Sequence, residues 1–495
     1  MAAIFAQTPR AGAGTPADRR RMNPASALER GNRAMAAGDA RTAAECYRAA
    51  LAAAGDHAGL YYNLGNALRA GGDDAGAEAA LRRALALAPG LAAAHNNLGN
   101  LLRATGRPAE ALEAYRHALH LAPHDGQVRG NLGTALLDLQ RPEEALVFFA
   151  QAVAAAPGDA QARVNLAGAL MLNREPMAAL GEYRRARGLA PALPAALFGE
   201  AIALLTLGDW AAGWEAYEAR LRDPRFPPFA ADITQPRWRG DAPVEGRTLL
   251  LIAEQGLGDT LQFCRYTRPL RERGARVVLQ VQPALRRLLG GLADSLAVPG
   301  AALPHFDAWC PLMSLPFAFR STPETVPATP YLTAEPARRG RWRRRLGPRR
   351  GLRVGLAWAG NATHPFDALR SLPVPALAPL LAVRGIEAHA LQPDAEPTDR
   401  RIAAHPEIAD FADTAALIEL MDVVISVDTV IAHLAGALGR PVWILLPYAA
   451  DFRWMLERSD SPWYPSARLF RQARPKDWAG PVAAAGRALG EWRRR

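Results

Sequence analysis

Cysteine is scarce in this chain. Only Cys46, Cys264 and Cys310 occur in 495 residues, far apart and with no CxxC pair. That spacing suggests neither a disulfide framework nor a structural zinc site, and a reducing cytoplasm fits. Lysine is almost absent: Lys476 stands alone, and the other 58 of 59 basic residues are arginine. No stretch of 18 or more apolar residues is free of charge, so no membrane-spanning helix is expected. Residues 1–23 carry Arg10, Arg19, Arg20 and Arg21 but no apolar core of signal-peptide length; they read as a disordered tail. Tryptophan is missing before Trp210. Net charge is also uneven. Residues 1–236 hold 24 basic and 23 acidic side chains, whereas residues 237–495 hold 35 and 25. The chain has two compositional halves with different tasks.

The first half repeats. Gly31, Gly65, Gly99, Gly133, Ala167 and Ala201 are each 34 residues apart. Twelve positions later come Ala43, Ala77, Ala111, Ala145, Ala179 and Gly213, then Tyr47, Leu81, Tyr115, Phe149, Tyr183 and Tyr217. Pro89, Pro123, Pro157 and Pro191 close the middle repeats, because proline lacks an N–H and clashes with the preceding turn. A fixed period of this length marks a solenoid of helix pairs. It resembles the tetratricopeptide repeat (TPR), with six repeats at 24–57, 58–91, 92–125, 126–159, 160–193 and 194–227. Small residues let paired helices approach, and the large residue is expected to fill the space to the next repeat. Asn63, Asn97, Asn131 and Asn165 recur at one position of the first helix, which in this repeat lines the concave face. A row of amides can hydrogen-bond an extended peptide without reading its side chains, and a similar ladder occurs in O-GlcNAc transferases. The same amides could instead bond the neighbouring repeat.

The period is lost after Pro224, Pro227 and Pro228. Apolar runs at 248–253, 276–281, 308–312, 354–358, 387–391, 423–427 and 442–446 read as strands, with helical patterns at 414–421 and 430–438 between them. Strands alternating with helices imply parallel sheets, whose ligands bind at the carboxyl ends of the strands. The predicted division is a first lobe at 228–335, a linker at 336–351 and a second lobe at 352–495. The linker carries eight arginines between Arg338 and Arg350; like charges at that density prefer solvent. Little aromatic interleaving and no nucleic-acid module accompany them, so no nucleic-acid partner is expected.

Three clusters carry chemistry. Gln255-Gly256-Leu257-Gly258-Asp259 follows the first strand, where the glycines let the backbone turn sharply toward a ligand. Asp259 is then held at a helix start, facing the cleft, or serves as an ordinary helix cap. Ser426-Val427-Asp428-Thr429 runs from a buried strand into a helix, a junction suited to anions. His433 lies one turn further on, on the face of Thr429. Gly360, Asn361, His364, Asp367, Arg370 and Ser371 follow the strand ending at Trp358, and Arg370 could clamp a phosphate.

Together these segments resemble a bacterial glycosyltransferase of the heptosyltransferase-like group, over about residues 245–475. The resemblance rests on residues 254–263, on Asp428-Thr429 with 433–439, and on Asp460-Ser461-Pro462-Trp463-Tyr464-Pro465. It implies the GT-B fold of two Rossmann-like lobes, a nucleotide-sugar donor held mainly by the second lobe, inversion at the anomeric carbon, and no essential metal or cofactor. It implies that Asp259 is the general base. It implies donor binding by the loop matched by Asp428, Thr429 and His433, with Val430 where that loop has glycine. Arg370 stands for the family's phosphate-binding lysine. The donor set is thus Gln255, Gly256, Gly258, Asn361, His364, Arg370, Asp428, Thr429 and His433, with Asn63, Asn97, Asn131 and Asn165 facing a protein or carrier-linked acceptor. The expected whole is a TPR α-solenoid followed by an α/β GT-B module, acting as a cytoplasmic glycosyltransferase. The rival is a non-catalytic TPR scaffold with a degenerate nucleotide pocket.

Overall fold

The computed structural model of the chain describes residues 23–223, 233–328, 330–361, 367–392 and 397–494. The expected N-terminal tail up to residue 22 lies outside them. Helical hairpins open the chain: Pro24–Ala36 with Ala40–Ala54, Ala58–Ala70 with Asp74–Leu87, Ala92–Ala104 with Pro108–Leu121, and Gly126–Asp138 with Pro142–Ala155. Ala160–Leu172, Pro176–Leu189, Pro194–Leu207 and Trp210–Tyr217 continue the series. The second helix of the middle repeats stops two residues before each proline of the 34-residue series.

Between the two helices of each repeat the backbone enters the left-handed region, at Gly38, Gly72, Gly106, Gln140, Arg174 and Gly208, with φ from +56° to +88°. Glycine adopts this conformation without strain and other residues do so at a cost. Gln140 and Arg174 are the exceptions. Within a repeat the small and large positions meet each other. A Cβ at Gly31, Gly99 or Gly133 would lie within 3.0 Å of the ring of Tyr47, Tyr115 or Phe149, and one at Gly65 would meet Leu81. The large residue thus packs on the small one of its own repeat in the first four repeats, while Tyr183 of the fifth packs on Gly199 of the next, as expected.

The chain divides into two compact units, Met1–Ala169 and Leu170–Arg495, a division inside the fifth repeat. The second unit contains two all-parallel sheets. The first sheet has β1 (Thr248–Ile252), β2 (Arg276–Gln280), β3 (Ser295–Ala297) and β4 (Ala308–Pro311) in the order β3-β2-β1-β4. The second has β5 (Leu352–Ala357), β6 (Ile386–Ala390), β7 (Ile402–Ala403), β8 (Val423–Val427), β9 (Val442–Leu446) and β10 (Ala467–Arg471) in the order β10-β9-β8-β5-β6-β7. Connectivity reverses between β1 and β4 in one sheet and between β5 and β8 in the other. Such switch points open crevices at the carboxyl ends of the strands. One core joins Leu205, Trp210 and Trp214 of the last hairpin to Leu249 and Leu251 of β1 and to Ile431 and Leu434 beyond β8.

The Arg-rich segment differs from the solvated linker expected over 336–351. Residues Pro336–Leu346 form a helix packed on the helix Phe411–Ile418. Arg338 is buried and bonds Asp413 at 2.6 Å and Asp410 at 3.2 Å. Arg341 also reaches Asp413, Arg339 reaches Glu419 at 2.9 Å, and Arg345 reaches Glu407. Trp342 is fully buried and donates to Asp413 at 3.2 Å. Carboxylates about 70 residues downstream neutralise the run and let it pack.

Candidate active site

The carboxyl ends of β1 and β8 face each other across the two lobes. After β1 the chain turns through Gln255-Gly256 into the short helix Leu257–Phe263. The carboxylate of Asp259 accepts the Gly256 N–H through Oδ2 at 2.8 Å. Its other oxygen accepts from Arg453, which the second lobe supplies. Arg453 also donates to Asp451 at 2.7 Å and to the side-chain oxygen of Gln262 at 2.7 Å. Of the two readings left open by sequence, the structure shows the cap, since the carboxylate accepts the N–H that opens its helix; it also sits in a charged cluster between the lobes. Gly256 and Gly258 keep ordinary negative φ. Gly258 is needed for close approach instead, because a Cβ there would lie 3.0 Å from the His433 ring.

After β8, Asp428 and Thr429 lead into the helix Val430–Ala437. Thr429 caps it, accepting the Ile431 N–H at 3.3 Å, and its hydroxyl lies 3.3 Å from that of Ser426. His433 is buried, with Nδ1 2.9 Å from the Tyr464 hydroxyl and its ring stacked on Trp454 at 5.5 Å. Burial, then the nearby Arg453, Arg265 and Arg370, push its pKa far below the usual histidine range, so the imidazole is neutral. Its Nε2 is 3.9 Å from Asp428. Burial, reinforced by the charge of Asp451, raises Asp428 from 3.8 to about 6.

Beyond β5, Gly360 donates its N–H to Ser371 at 2.9 Å, and Asp367 accepts from Ser371 at 2.8 Å and from Arg370 Nε at 3.2 Å. Asn361 is exposed, while His364 lies outside the described residues. Gln255 donates to the Tyr217 hydroxyl at 3.2 Å. The asparagine row belongs to the other compact unit. Asn97 donates to Asn66 at 2.7 Å and to Tyr62 at 3.2 Å, and Asn131 donates to Asn96 at 2.9 Å. Asn165 accepts from Gln161 at 2.9 Å, and Asn63 is half-buried. Two of the four amides thus link successive first helices. Among the described residues no three His, Cys, Asp or Glu side chains form a metal-binding group.

Sequence reasoning missed Arg453, Asp451 and Trp454. They sit in a stretch with no diagnostic spacing; folding of the second lobe brings Trp454 onto His433, and only the approach of the two lobes brings Arg453 to Asp259. Tyr464 was visible within the tryptophan–tyrosine segment, without a role.

Residues 28–92 and 102–166 match family models described as tetratricopeptide repeat. Residues 391–475 match the model described as glycosyltransferase family 9 (heptosyltransferase). That segment includes Asp428, Thr429, His433, Arg453 and Tyr464 and leaves Asp259 outside. The chain is 30% identical over 337 residues to the protein FlbA of Caulobacter vibrioides, a stretch covering 59% of this chain and 54% of that protein. The chain thus spans about half the length of that relative. Similar solved structures include YrrB, described as a TPR protein with an unusual peptide-binding site, at 22% identity over 37% of this chain and 94% of that one, TM-score 0.32. Another is PilF of Pseudomonas aeruginosa, at 21% identity over 40% and 90%, TM-score 0.37. Among the described residues no helix is long and apolar enough to cross a membrane. The chain joins tetratricopeptide repeats to a heptosyltransferase-like glycosyltransferase domain.

Proposed function

We propose that the protein transfers a sugar from a nucleotide-sugar donor to a protein or carrier-linked acceptor presented by its repeats. The observation that carries this reading is the meeting of Asp259 and Arg453 beside the Asp428–His433 junction, at the switch points of two parallel sheets. In the reaction the acceptor O–H gives its proton to the Asp259 carboxylate. The acceptor oxygen bonds the anomeric carbon, and the nucleoside diphosphate leaves with the electron pair. Negative charge grows on the departing diphosphate. In this reading Arg370 and the N–H groups at the start of the Val430–Ala437 helix offset it, with no metal taking part. The neutral His433 ring and Thr429 shape the donor side. The asparagine row supports an acceptor held along its backbone, through whichever amide groups the repeat contacts leave free. The three cysteines are unpaired and buried, which supports a reducing compartment such as the cytoplasm.

A binding scaffold is the second reading, favoured by one observation: both oxygens of Asp259 already hold partners. A thermal-shift screen of UDP-, GDP- and ADP-sugars, followed by transfer assays with the responding donor, separates the two. A donor held at 100 times its dissociation constant adds about 2.7 kcal/mol of stability. Turnover establishes the enzyme, binding without turnover the scaffold, and no response from any donor defeats both.

A further inference from the structure

The last helical repeat reaches the candidate site from behind. Its helix Trp210–Tyr217 packs against both lobes: Trp210 stacks on Trp463 at 4.8 Å, and Trp214 meets Phe263 at 5.9 Å and Phe452 at 5.8 Å, edge to face. The turn that follows continues into the site. Arg220 forks onto both oxygens of Glu254, at 2.9 and 2.7 Å, and donates to Ser314 at 2.9 Å. The Glu254 carboxylate also accepts the Met313 N–H at 3.1 Å. The Arg220 side chain is fully buried and that of Glu254 is 2% exposed.

A buried ion pair adds little stability over apolar side chains of the same volume. What it supplies here is geometry. Glu254 stands two residues before Gly256, whose N–H orients Asp259, and the Tyr217 hydroxyl holds Gln255 in between. The glycine turn is therefore fixed at two consecutive residues by the repeat.

A second contact from the repeats, to the largely exposed carboxylate of Glu457, reaches the second lobe. Arg174 occupies the left-handed turn position that glycine fills in four of the six repeats, with φ of +61°. Its guanidinium donates to Glu457 at 2.8 Å and lies 5.3 Å from the ring centre of Tyr448. Tyr448 and Glu457 bracket the loop that carries Asp451, Arg453 and Trp454.

We propose that Tyr217 and Arg220 are positioning residues for the glycine turn bearing Asp259, and that Arg174 positions the loop bearing Arg453. The catalytic module then begins within the repeats, upstream of residue 228. Only the turnover arm of the test below rests on the glycosyltransferase reading.

The test is amide hydrogen exchange on full-length Tyr217→Phe, Arg220→Lys and Arg174→Gly, paired with steady-state kinetics. Tyr217→Phe removes one hydroxyl and keeps the ring. Arg174→Gly relieves the backbone, so folding is preserved. Exchange over residues 254–260 should quicken about tenfold in the first two variants, as loss of a local hydrogen bond predicts. In Arg174→Gly the quickening should fall on residues 448–457. With a UDP-, GDP- or ADP-sugar that the wild type uses, kcat should drop on the order of 10- to 100-fold at unchanged KM, the signature of misplaced reacting groups. If Arg220→Lys does not fold, the other two variants decide. Wild-type exchange in both segments overturns the proposal, and so does faster exchange spread evenly over the whole unit. Local quickening in a protein that turns over no donor sustains the positioning role and defeats the glycosyltransferase reading.

Discussion

Asp428→Asn should stabilise the protein at neutral pH while harming its donor site. The Asp428 side chain is 13% exposed. Burial first, and Asp451 second, raise its pKa from 3.8 to about 6. Between those values the native state binds more protons than the unfolded chain. Stability therefore falls as pH rises through the window, and the full penalty is in place above about pH 6. At about 1.4 kcal/mol per pH unit the gap corresponds to an upper limit of about 3 kcal/mol. Asparagine has no charge to bury and removes the penalty. In denaturant melts from pH 3.5 to 8, Asp428→Asn should gain up to about 3 kcal/mol at pH 7.5. The advantage should shrink steadily below pH 6 and vanish near pH 3.8. Calorimetry with UDP, GDP and ADP should show weaker binding in the same variant, the usual exchange of stability for function. An equal stability of mutant and wild type at pH 7.5, or an advantage that persists unchanged at low pH, refutes the reasoning.

Three other outcomes are expected. Asp259→Asn should cut turnover by about 10²–10⁴-fold with donor affinity near wild type. It should also cost about 1.5–3 kcal/mol of stability, because Arg453 loses a charged partner; wild-type turnover in this variant would rule out the base. His389 and His405 share a buried hydrogen bond of 3.0 Å, and burial, then His405, lower His389 to about 4. Its neutral form supports the fold above the ordinary value of 6.5, and that support is lost as pH falls from there toward about 4, so melts of His389→Gln should lose the acid limb over this range. In the repeats, Gly99→Ala puts a Cβ 2.6 Å from the Tyr115 ring and should cost about 1–3 kcal/mol by thermal unfolding, whereas Gly90→Ala, with open space around it, should melt close to wild type.

Sequence alone determined what depends on near neighbours. The helical repeat was legible because its packing pairs residues only 16 apart, such as Gly99 with Tyr115, and the same pair of positions recurs every 34 residues. Strand and helix alternation was legible because buried parallel strands are continuous apolar runs. The short or peripheral strands β3, β7 and β10 left no such run and were missed. The glycine turn and the Asp428-Thr429 junction could be placed at strand ends, since a sheet of this kind exposes its chemistry there. Tertiary structure alone decided the rest, because it rests on charges meeting across long separations in sequence. The arginine run became a packed helix only through Asp410, Asp413 and Glu419. Asp259 acquired Arg453 only when the lobes came together. Arg220, inside a repeat that reads as part of the solenoid, found Glu254 at the mouth of β1. A buried charge takes whichever opposite charge the fold delivers, and local spacing carries no record of that choice.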